Sequence, residues 1–181
     1  MRKIELRKIK LLEVSRTLLY LLLAIFAYAL QTLDIDIVKP LPLIPIAIIY
    51  AINEDGEFRA VGGGVVCGLM LDNSLNTFFG YSAFFLVIFS VFSSLLFFYL
   101  LRPNVGSVFL VTMVYSFIFC FLHYFFYYFI WRYDESKIIF KEYVLPSFCY
   151  TAISTIAVYP IMRLINRIRL KGDITIKEMI R

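Results

Sequence analysis

The length of its apolar runs constrains this chain more than any other feature. Residues 17–33, 83–101, 105–131 and 143–165 are almost free of charge. An α-helix rises ~1.5 Å per residue, so about 20 such residues cross a ~30 Å hydrocarbon layer. Helices satisfy their own backbone polar groups, which lipid cannot do for any irregular or open-edged segment. The runs therefore dictate an all-α, polytopic membrane protein. Composition agrees: 61% of the 181 residues are apolar and 18% aromatic, beyond what a soluble domain carries. A single membrane domain over residues 1–181 is expected, with a basic segment at 1–16 and a basic tail at 166–181.

Two shorter apolar segments lie between the first and second long runs. Residues 41–52 contain Pro42 and Pro45, and residues 60–71 contain the glycines. Each has about a dozen residues and reaches only ~18 Å, so each is expected to be shielded from lipid by its neighbours. Counting both gives six transmembrane segments. Taken alternately, the loops put fourteen of the 18 Lys and Arg on the side of the termini, against Lys39, Arg132, Lys137 and Lys141. That asymmetry predicts cytoplasmic termini, with the basic N-terminal segment lying as a helix on the membrane surface. The basic residues flank apolar runs, so they speak for topology and not for nucleic acid. Ala27-Tyr28-Ala29 has the form of a leader cleavage site, but further spans follow, so the first run is expected to remain a span.

Ala60, Gly64 and Gly68 are four residues apart. On a helix they form one bare ridge, the usual means of close helix–helix approach in membranes. Asp72 follows at the same spacing. A carboxylate at the C-terminal end of a helix opposes the macrodipole. It calls for compensation, by a partner cation or by the amides of the turn that leads to Gly80. Little else has the form of chemistry. GGGVVCGL lacks the Lys-Ser/Thr of a phosphate loop and the third glycine of a dinucleotide fingerprint. His123 is the only histidine and lies in an aromatic run, where a bundle-facing structural role fits it. The run HYFFYYFIW, residues 123–131, marks the membrane interface. Cys67, Cys120 and Cys149 all lie in apolar runs without C-x-x-C spacing and read as buried thiols. No catalytic residue, metal ligand or cofactor site is expected.

From Gln31 to Gly80 the chain resembles the rod shape-determining protein MreD family. The resemblance rests on Leu30-Gln31 closing the first span, Lys39-Pro40 opening the second, and Tyr50 near its end. It continues with G-x-x-x-G-x-x-x-D at Gly64, Gly68 and Asp72, and with Gly80 eight residues on. Ile46 departs from it, since many members carry a polar residue after the proline. The resemblance implies a non-enzymatic subunit of the bacterial inner membrane that binds MreC. Through MreC it would be linked to MreB, RodA and a penicillin-binding transpeptidase. Asp72 and Gly80 would then be candidate partner-binding residues, and membrane lipids would surround the rest. The family is also similar in fold to the S components of ECF vitamin transporters, which gives the alternative of a small-molecule carrier. S components dock through Ala-x-x-x-Ala on their first helix. Here Ala24 is followed by Tyr28 and Ala27 by Gln31, which favours the scaffold.

Overall fold

The computed structural model describes residues 2–32, 41–53, 57–130 and 140–180. Lys39-Pro40, residues 54–56 with Glu54 and Asp55, and most of the 132–142 loop lie outside them. So do the side chains of residues 1–10, 12, 13, 57, 128, 129, 143 and 168–181.

All regular structure among the described residues is helical. The elements are α1 (Arg2–Thr32), α2 (Leu43–Asn53), α3 (Glu57–Leu75), α4 (Tyr81–Tyr99), α5 (Val105–Tyr124) and α6 (Leu145–Ile180). A wider π turn at Phe125–Phe129 extends α5, and another at Phe140–Val144 leads into α6. Among the described residues, four stretches are long and apolar enough to cross a membrane: Val14–Thr32, Tyr81–Tyr99, Val105–Tyr127 and Phe140–Arg167. Only 28–33% of each is buried within the protein. The remainder presents large apolar side chains outward, including Leu22 and Phe26 of α1, Phe92 of α4, Leu110 of α5 and Ile156 of α6. Small polar residues do the reverse, and Ser82, Ser90, Ser93, Thr112, Ser116, Thr151 and Thr155 are all buried. An apolar exterior over a core that includes hydroxyls is what lipid as solvent selects.

The buried centre is α2. Leu43, Ile44, Pro45, Ile46, Ala47, Ile48, Ile49 and Ala51 are all buried. The helix packs against α1, α3, α4, α5 and α6. Its 11 residues cover about 16 Å, too little to cross a bilayer alone. Just ahead of it, the Leu41 N–H donates to Thr151 Oγ1 of α6 at 3.1 Å, which satisfies an amide before the helical ladder begins.

Four expectations need correction. The third segment is not a dozen residues but 19, because α3 takes in Glu57 and Arg59 and continues past Asp72 by a further turn. The basic N-terminal segment is not a separate element, since α1 runs unbroken from Arg2 into the first span. Arg16 belongs to the interior of the bundle, at 2% exposure. Cys149 is exposed on α6, while Cys67 and Cys120 are buried.

Candidate functional site

The ridge of α3 faces α4. Ala60 is fully buried. A methyl group added at Gly64 would lie 2.9 Å from both Leu86 O and Val87 Cα, and 3.0 Å from Ser90 Oγ. One added at Gly68 would meet the Ala83 backbone, 2.7 Å from its nitrogen. These are backbone contacts that cannot yield, so the helices touch where only glycine fits.

This close approach carries Asp72 to the start of α4. The Asp72 carboxylate is 1% exposed. Its Oδ2 accepts from Gly80 N at 2.7 Å, and its Oδ1 accepts from Ser82 N at 2.6 Å and Thr77 Oγ1 at 3.1 Å. Gly80 is the N-cap of α4 and has no side chain to cap with, so Asp72 performs that task from the preceding helix. The amides of a helix N-terminus hold partial positive charge, which offsets the repulsion between the carboxylate and the end of its own helix.

Two left-handed residues give the turn its shape. Asn76 (φ 51°) ends α3, and the Thr77 N–H reaches back to Asp72 O at 3.1 Å. Gly80 has φ 98°, a conformation costly for any residue with a Cβ. The eight-residue spacing from Asp72 to Gly80 is thus the length of one closed clasp.

Neighbours brace the clasp. Gln31 Nε2 donates to Ser74 Oγ at 2.8 Å, and Asn73 Nδ2 donates to the Tyr28 hydroxyl, tying α1 to the end of α3. The Phe78 N–H donates to the Tyr127 hydroxyl at 3.0 Å, and the two rings stack. Tyr81 lies among Phe85, Phe119, His123, Phe126 and Tyr127. His123 stacks on Tyr127 at 4.7 Å and lies in this aromatic cluster. The structure therefore brings Gln31, Gly68, Asp72 and Gly80 to one end of the bundle. Tyr50 lies elsewhere, against Tyr20 and beside Gly63. Two residues on the turn went unremarked in the sequence: Phe78 (78% exposed) and Phe79 (82%) project from the clasp. An FF pair just before Gly80 was the available clue.

Elsewhere, a cavity of about 270 Å³ opens between α1, α2 and α3, bounded by Tyr20, Tyr50, Gly62 and Cys67, with Arg59 and Thr17 at its rim. Among the described residues, no three His, Cys, Asp or Glu side chains come together as a metal site. No family model matches the chain, and no curated protein or solved structure matches it either.

Proposed function

We propose that this chain is a non-enzymatic scaffold subunit of the bacterial inner membrane, acting in the rod-shape and elongation machinery as members of the MreD family do. In this reading six segments cross the membrane, both termini are cytoplasmic, and the clasp faces the periplasm, where MreC has its folded domain. MreB, RodA and a penicillin-binding transpeptidase belong to the same assembly. The observation that carries the reading is the Asp72–Gly80 clasp with Phe78 and Phe79 projecting from it. It gives Gly64, Gly68, Asp72 and Gly80 one physical task, a rigid turn that presents two aromatic rings. Aromatic anchors are what protein–protein contacts favour. Asp72 and Gly80 then serve the partner by shaping the turn, because the carboxylate is already bonded within the chain.

The carrier alternative has less support. The apolar cavity by Tyr50 is about 270 Å³, below the roughly 300–1,000 Å³ typical of ligand pockets. Affinity purification of the tagged full chain from membranes tests both readings. MreC in the eluate, lost in Phe79→Ala at an unchanged membrane level, supports the scaffold. ECF energising subunits in its place would establish the carrier. An eluate with neither ends the scaffold reading.

A further inference from the structure

The opposite end of the bundle holds a second cavity, of about 220 Å³, between the end of α2, the start of α5 and the middle of α6. Its polar lining is Asn53, Tyr159, Arg163, Asn166 and Arg167. Arg163 and Arg167 are one helical turn apart, so their charges share a face of α6 and repel each other. None of the described residues that line the cavity is acidic. Asn166 Nδ2 donates to Asn53 Oδ1 at 3.2 Å, which fixes the two amides across the cavity. Among the described residues, Asn166 Oδ1 is buried with no hydrogen-bond partner. The cavity thus offers two guanidinium groups and one unused acceptor.

Its depth is equally informative. Pro103, which lines it, lies two residues before the crossing stretch that begins at Val105, and Arg167 is the last residue of the crossing stretch that begins at Phe140. That is the level of lipid headgroups, where basic pockets between helices take phosphates. Guanidinium pairs bind phosphate by charge-assisted, often bidentate hydrogen bonds. The unused carbonyl oxygen calls for a donor on the same ligand.

We propose that this cavity binds a phosphate ester that also carries a hydroxyl group. Arg163 and Arg167 hold the phosphate, and Asn166 accepts from the hydroxyl. Phosphatidylglycerol provides this chemistry from the membrane, and glycerol phosphate provides it from solution.

The test uses the purified full chain in zwitterionic detergent. Native mass spectrometry measures retention of phosphatidylglycerol against phosphatidylcholine of equal chain length. Thermal unfolding is followed in parallel with and without glycerol phosphate. Selective retention of phosphatidylglycerol is expected, falling roughly tenfold in the double variant Arg163→Gln/Arg167→Gln as charge-assisted bonds are lost. Asn53→Asp keeps both arginines but places a carboxylate in the cavity, and it is expected to lower retention as well. It therefore decides the matter if the double variant is poorly folded. Stabilisation by glycerol phosphate without lipid selectivity assigns the same site to a soluble ester. Equal retention of the two lipids together with no effect of glycerol phosphate overturns the proposal, as does selectivity that survives in both variants.

Discussion

The two ends of α3 teach opposite lessons. Towards Asp72 the helix is closed in, with Gly68 against the Ala83 backbone, Asp72 bonded on both oxygens and α1 tied down by Gln31. Towards Arg59 one face of it borders a cavity, and a methyl group added at Gly62 would meet no described atom within 4 Å. The charges differ in the same way. At the closed end Asp72 is held by the amides of Gly80 and Ser82, while at the other end Arg59 lines one cavity and Arg163 and Arg167 of α6 line another. A buried charge is tolerable when its hydrogen bonds are supplied from a fixed frame. An exposed charge, as on Arg163, needs no such frame because it keeps its solvent.

Substitutions that enlarge or erase this contrast should follow it in size. Gly68→Leu comes first. It drives a side chain into the α4 backbone and is expected to cost about 3 kcal/mol or to prevent assembly. Chemical unfolding in micelles would measure this, with Gly62→Ala as the counterpart. The latter should be neutral or stabilise by up to about 1 kcal/mol, because it removes a helix-interior glycine and meets nothing. Equal losses in the two variants would erase the asymmetry.

Asp72→Asn is next. An amide nitrogen would replace one acceptor and face a backbone donor, Gly80 N or Ser82 N. Each buried donor left unsatisfied costs roughly 1–3 kcal/mol, so the level of the protein in the membrane should fall. A normal level and normal unfolding would mean that the clasp does not contribute to the fold.

Gly80→Ala is milder. Forcing a Cβ into the left-handed region costs roughly 1–2 kcal/mol, with open space around the added methyl. Limited proteolysis should detect the loosened turn between α3 and α4. Smallest is Arg163→Gln at the open end. Its effect on unfolding is expected to stay within about 0.5 kcal/mol, as for other surface changes. A larger loss would show that this end too is held by its charges.

Much of the fold was legible in the residues. The uncharged runs coincide with the four described stretches long and apolar enough to cross a membrane, and the shortness of residues 41–52 with two prolines already required a shielded segment, as α2 is. The ridge of Ala60, Gly64 and Gly68 could be read from spacing alone. Its partner could not, because any neighbouring helix satisfies a bare ridge, and only the turn decides that α4 is the one. Asp72 shows the same limit. Its conflict with the dipole of α3 was visible, but its relief depends on the left-handed conformations of Asn76 and Gly80. Those fold the chain back so that amides eight and ten residues on meet one carboxylate. Arg16 and Cys149 were misplaced for a related reason: an apolar or basic stretch does not reveal which face of its helix turns inward.

The burial of α2 has a consequence for how the molecule is made. A segment of about 16 Å cannot settle alone across a bilayer when it leaves the ribosome. Its leading amide, at Leu41, is satisfied by Thr151, which is synthesised 110 residues later. The centre of this bundle is therefore its last part to be completed. A nascent chain that ends before α6 holds its core segment without a lid. Final closure is an act of the whole chain, which makes the period between synthesis of α2 and arrival of α6 the time when chaperones and membrane proteases can act on it.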